Sequence, residues 1–139
     1  MKKMYTEIKI ANYEDIGALA RGFIKSDEVR SIEGKGRIDN GATNLFIPED
    51  ISKSLGLREI DETKVRYADG RVKRKKVGSV VEVEIKGRRT RVSPIIVDDG
   101  NEILIGNPIF EDLDFIINPK TGEILPNPES PDMPLAEAL

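Results

Sequence analysis

The 139-residue sequence contains no cysteine, no histidine and no tryptophan, and only 5% of it is aromatic. Without cysteine there is no disulfide, no thiolate metal site and no cysteine nucleophile; without histidine the usual general base is missing. A Ser-His-Asp triad is excluded, so any acid–base chemistry falls to carboxylates, Lys, Tyr or water. Long apolar runs are also lacking, none approaching the roughly 18 residues that span a bilayer. The opening Met1-Lys2-Lys3-Met4-Tyr5-Thr6-Glu7 has no apolar centre like that of a signal peptide, so the expectation is a cytoplasmic chain without membrane association. A net charge of −3 supplies no global field to attract nucleic acid or an anionic membrane.

What the chain does have is 38% hydrophobic and 34% charged residues in a length that suits one compact domain. Period-two alternation predicts strands over Tyr5–Ala11 and over Ser79–Ile85, where Val81, Val83 and Ile85 point inward, and the mixed apolar and charged stretch from Glu28 reads as a strand leading towards Gly34. Lys64–Tyr67, Ala68-Asp69-Gly70 and Arg71–Val77 predict a hairpin on an Asp-Gly turn. Lys86-Gly87-Arg88 turns the chain into a further strand over Thr90–Val97, and Asp98-Asp99-Gly100-Asn101 turns it again before the apolar Ile103-Leu104-Ile105. Short helices are predicted after Pro48 and over Pro108–Leu113, while Asn12–Gly22 reads as a short helix or an insertion. Phe115-Ile116-Ile117 and Glu123-Ile124-Leu125 flank a tight turn. From Pro126 to Leu139 a Pro-rich tail is expected to be irregular or mobile. The pattern is that of an all-β barrel or sandwich with one or two short helices, residues 1–125, followed by a tail, residues 126–139.

The stretch Arg37-Ile38-Asp39-Asn40-Gly41-Ala42-Thr43 sets one carboxylate in a glycine-containing turn between apolar segments. Taken by itself, Asn-Gly between apolar runs is an ordinary hairpin turn. It has an echo, however. Ile38 to Gly41 precedes the helix after Pro48, and Ile103-Leu104-Ile105-Gly106 precedes the helix at Pro108, so the same strand, glycine turn and helix occur twice.

Asp39-Asn40-Gly41-Ala42-Thr43, with Leu55-Gly56-Leu57 after it, resembles the active-site segment of retropepsin-like aspartic proteases of the cellular type, whose pattern is Asp-Thr/Ser-Gly-Ala. Ile103-Leu104-Ile105-Gly106-Asn107, followed by Phe110, Leu113 and Phe115, resembles that family's apolar-apolar-Gly segment and its helix. The resemblance covers roughly Tyr5 to Leu125. It implies a closed acid-protease barrel acting as a homodimer on a peptide or protein substrate, without cofactor or metal. Asp39 of each subunit would then be catalytic, Asn40, Gly41, Ala42 and Thr43 would form the active-site loop, and Ile105 and Gly106 would support it. Gly41 would let the backbone pass close to the carboxylate. The hairpin tip Ala68-Asp69-Gly70-Arg71 holds the position of a flap, without the family's glycine-rich tip. Asn40 stands where the family has Thr or Ser, whose hydroxyl bonds across the dimer; Asn offers an amide on a longer arm. The alternative implied by that departure is a catalytically silent binding or dimerisation module on the same fold.

Four other stretches carry charge that needs a reading. Arg71-Val72-Lys73-Arg74-Lys75-Lys76 and Lys86-Gly87-Arg88-Arg89-Thr90-Arg91 could meet nucleic acid, or guard strand edges with charge. They contain no aromatic to stack a base, which favours the edge reading. Asp98 to Glu102 could begin a calcium loop but lacks the rest of the twelve-residue ligand pattern, and reads as a turn. Glu82 and Glu84 alternate with the buried Val81, Val83 and Ile85, and read as solvent-facing.

Overall fold

A computed structural model describes residues 3–138. Eight residues, Tyr5–Asn12, form strand β1, with Ile8 and Ile10 buried as the alternation requires. The ambiguous segment is a helix, α1 (Tyr13–Ala20). Asn12 starts it: its Oδ1 accepts from the Asp15 N–H at 3.1 Å, while its Nδ2 donates to the Leu55 carbonyl at 2.8 Å. A 3-10 turn at Ser26–Glu28 leads to β2 (Ser31–Asp39), which runs through Gly34 and Gly36 instead of ending there. Then follow β3 (Leu45–Pro48), α2 (Glu49–Ser54), the hairpin β4 (Glu59–Arg66) and β5 (Val72–Gly78), and the hairpin β6 (Val81–Ile85) and β7 (Arg88–Val92). The β6–β7 turn is the two-residue Lys86-Gly87, both at positive φ, which matches the twist of a tight hairpin.

The expected strand Thr90–Val97 is split into β7 and β8 (Ile95–Val97). The chain changes neighbours there: β7 pairs with β6, whereas β8 pairs with β3 and β5. Pro94, which cannot donate to a ladder, occupies the break. Beyond it lie β9 (Ile103–Gly106), α3 (Asn107–Leu113), β10 (Phe115–Ile117) and β11 (Ile124–Pro126).

Nine strands make one curled sheet in the order β4-β5-β8-β3-β9-β2-β1-β6-β7, a half-barrel, and β10-β11 form a separate pair. Mostly β architecture of the acid-protease kind is what is found, with three short helices among the described residues, one more than the pattern predicted. Ile10, Leu45, Ile47, Leu55, Val81, Val83, Ile85, Ile105, Phe110 and Leu113 share a single core. Each such side chain contributes about 1.5–3 kcal/mol by leaving water. No helix among the described residues is long and apolar enough to cross a membrane.

The Pro-rich tail is irregular, yet it is held. Arg88, only 8% exposed, donates from Nη1 to the Leu113 and Asp114 carbonyls at 2.9 and 3.0 Å and from Nη2 to the Ser130 carbonyl. The Asp114 carboxylate accepts from the Ser130 hydroxyl, from Asn127 Nδ2 at 3.1 Å and from the Leu135 N–H at 3.0 Å. Those donors, Ser130 first, hold the Asp114 carboxyl below its usual range, with the Arg88 charge adding to them. A depressed folded-state value means the contact stabilises fully above the ordinary carboxylate range and is lost as pH falls below it. The Ser130 and Leu135 amide resonances are therefore expected to stay fixed from neutral pH down to about pH 4 and then shift towards unstructured positions. Resonances unmoved far below that range would show that the carboxylate does not hold the tail.

Candidate functional site

Strand β9 creates the local geometry. It lies between β2 and β3, parallel to β2 in the register Ile38↔Ile105 and Asp39↔Gly106, and antiparallel to β3 in the register Leu45↔Ile105. The chain thus leaves β2 at Asp39, loops through residues 40–44 and returns on the far side of β9. The loop has to cross over the end of β9, and it crosses at Gly106. The Gly106 N–H donates to the Asn44 carbonyl at 3.0 Å, and the Asn107 N–H to the Ala42 carbonyl at 3.2 Å. A Cβ at Gly106 would lie 2.5 Å from Asn44 O, 2.7 Å from Ala42 O and 2.8 Å from Asn44 N, all of them backbone atoms.

Asp39 is half-buried at the end of β2. Its Oδ1 accepts from the Gly41 N–H at 3.0 Å, and its carbonyl accepts from the Ala42 N–H at 3.2 Å. The carboxylate therefore closes its own turn and is fixed in direction by it. Asn40, Gly41 and Thr43 are exposed, and Ala42 is half-buried. Among the described residues the Asn40 side chain makes no hydrogen bond within the chain. The tight backbone approach belongs to Gly106 and not to Gly41, where an added Cβ would meet only Asp39 Oδ1, at 3.4 Å. Ile105 is fully buried behind the loop, and Ile38 packs on the same core. A shallow hollow of about 370 Å³ beside Asn40 is lined by Asn107, Phe110, Glu111, Phe115 and Ile117.

Ahead of the loop, Tyr5 donates its hydroxyl to Glu102, and Arg37 lies 3.7 Å from the same carboxylate. That cluster ties β1, β2 and the approach to β9 together; no motif in the sequence marks it. The hairpin tip Ala68-Asp69-Gly70-Arg71 is exposed at the free end of β4–β5, where Asp69 accepts from the Arg71 N–H at 3.0 Å and from its guanidinium at 2.5 Å. Among the described residues, no hydrogen bond or ion pair joins this tip to residues 39–43.

The basic stretches are largely neutralised by neighbours. Lys76 pairs with Glu59 at 3.0 Å, Arg74 with Glu62 at 3.9 Å and Arg91 with Glu82 at 2.9 Å, and the Lys75 amine meets Asp98 at 2.6 Å. Glu82 is covered by this contact, its side chain 14% exposed, although the alternation placed it in solvent. Asp98 and Asp99 are engaged by lysines, and among the described residues no group of three or more His, Cys, Asp or Glu is placed to hold a metal ion.

A family model described as aspartyl protease matches residues 28–109, more than half of the chain. The match takes in β2, the Asp39 loop, β3 and β9 through Gly106. No curated protein matches the chain.

Proposed function

We propose, for a chain that belongs to the aspartyl protease family, an endopeptidase whose site is completed by a second copy of itself. The observation that carries this reading is the Asp39 turn held across the end of β9 by the Gly106 and Asn107 amides. Peptide hydrolysis without metal or nucleophilic side chain needs one group to take a proton from water and another to protonate the carbonyl oxygen. One carboxylate cannot do both at once. Two Asp39 side chains facing each other across a two-fold axis can, because like charges that close share a single proton.

In the reaction, the ionised Asp39 takes a proton from water as the water oxygen bonds to the peptide carbon. The protonated Asp39 of the other subunit gives its proton to the carbonyl oxygen, leaving a neutral tetrahedral diol. Collapse returns a proton from the diol to a carboxylate while the other carboxyl protonates the leaving nitrogen; the C–N bond breaks to an amine and a carboxylic acid. The protons titrate as a property of the pair. Gly41 and Ala42 hold the carboxylate's direction, and Ile105 and Gly106 back the loop. The tip Ala68 to Arg71 is assigned to covering the bound peptide.

A second reading, a silent dimerisation or binding module, rests on Asn40, which is exposed and, among the described residues, has no side-chain hydrogen bond within its own chain. Digestion of an unfolded protein mixture from acidic to neutral pH in 18O-labelled water tests both. Endopeptidase activity is expected to release new C-termini carrying the label. Asn40→Thr is expected to change the rate by less than about tenfold, since either side chain offers a donor and an acceptor to a facing copy. Cleavage appearing only in Asn40→Thr would establish the silent module, and none in either protein would remove the protease reading.

A further inference from the structure

The β4–β5 hairpin is only partly supported by the sheet. β4 is an edge strand, and β5 pairs with β8 only at Lys76↔Ile96 and Val77↔Ile95. Beyond Lys75 towards the tip, neither strand has a further strand neighbour among the described residues, so Lys64–Arg74 overhangs. A free two-stranded hairpin is marginal in water. Something other than the ladder must hold this half against the body.

Four contacts converge on the Asp98-Asp99 turn. Lys75, 9% exposed, places its amine 2.6 Å from Asp98 Oδ1 and 3.6 Å from Asp99 Oδ2. The Lys73 amine lies 3.5 Å from Asp99 Oδ2, and the Tyr67 hydroxyl donates to Asp99 Oδ1 at 3.3 Å. The Tyr67 ring also carries Lys73 and Arg71, whose charges lie 5.6 and 5.7 Å from its centre. Tyr67, Lys73 and Lys75 thus bracket the overhanging part of both strands, and one short turn binds all three.

We propose that the Asp98-Asp99 turn is an ion-pair latch that holds the overhanging half of β4–β5 down, making the hairpin a movable arm with a defined resting position. The contacts suit release. Asp98 is 69% exposed on its side chain, so salt or a competing cation reaches the carboxylate that Lys75 holds. The arm is thus tied to the turn that leads into β9, the strand whose other end carries Gly106. The latch does not depend on peptide cleavage.

Amide hydrogen exchange on the full chain, without substrate, reads the arm by itself. In Asp98→Asn with Asp99→Asn, which keeps acceptor oxygens and removes charge, the amides of Val65 to Lys73 are expected to exchange at least about fivefold faster, with β1, β2 and β9 unchanged. Tyr67→Phe, losing a single hydrogen bond, should give a smaller rise in the same segment. Added salt should raise exchange there in the unsubstituted chain and have no such effect in the double variant. Hairpin exchange unchanged by the double substitution, or a rise spread evenly over the whole chain, would overturn the latch.

Discussion

Replacing Asp39 by asparagine is expected to abolish peptide cleavage while leaving the fold in place. Asparagine keeps the Oδ1 that accepts from the Gly41 N–H, so the turn closes as before. What is lost is the ability to exchange a proton with water or with a carbonyl oxygen, worth about 10²–10⁴ in rate for a single acid–base group. In the proposed dimer both groups of the pair are this residue, so the variant is expected to lose base and acid together. The same substitution tests the shared site. If each site needs one Asp39 from each subunit, mixing equal amounts of variant and unsubstituted chains after dissociation should leave about half the activity per unsubstituted chain, since random pairing puts half of those chains beside an inert partner. Activity per unsubstituted chain that ignores the variant would show that one chain suffices, and full activity in Asp39→Asn would remove the residue from the reaction.

Gly106→Ala is expected to be severely damaging for a one-carbon change. Its Cβ would enter within 2.8 Å of three backbone atoms of the loop, where no side chain can rotate aside. Nor can the strand retreat, because β9 is paired on both sides. Overpacking of this kind costs about 1–3 kcal/mol or more. Activity is expected to fall further than stability, because the loop must lift and carry Asp39 with it, and a displacement of about 1 Å at a catalytic group can cost about 100-fold. Gly34→Ala is the control, since nothing lies within 4 Å of a Cβ there. Equal melting temperatures for Gly106→Ala and Gly34→Ala would contradict the packing.

Much of this was legible in the order of residues. The alternation of Val81, Val83 and Ile85, the Asp-Gly turn at Asp69-Gly70, the helix after Pro48 and the echo between residues 38–41 and 103–106 each rest on local chemistry, which one stretch of sequence contains. Gly34 and Gly36 misled because glycine weakens an isolated strand. Gly36 is in the strand for a tertiary reason: a Cβ there would lie 2.6 Å from the Ile105 side chain. The break at Pro94 likewise reflects which strands lie beside β7 and β8. Arg88 with Ser130 and Lys75 with Asp98 join residues 42 and 23 positions apart, and no periodicity announces such pairs. For the site, the sequence pointed to Asp39 and to Gly106, but not to the way one loop is pinned across the other strand's end.

The insertion of β9 between β2 and β3 also has a consequence in time. Hairpins β4–β5 and β6–β7 can close from neighbouring residues, whereas Gly36 meets Ile103 only after a long loop has been closed, the slow kind of contact in folding. A chain growing from its N-terminus holds Asp39 early and acquires the strand that steadies it only when synthesis has passed Gly106. Between the synthesis of Asp39 and that of Gly106 the carboxylate is present without the strand that aims it.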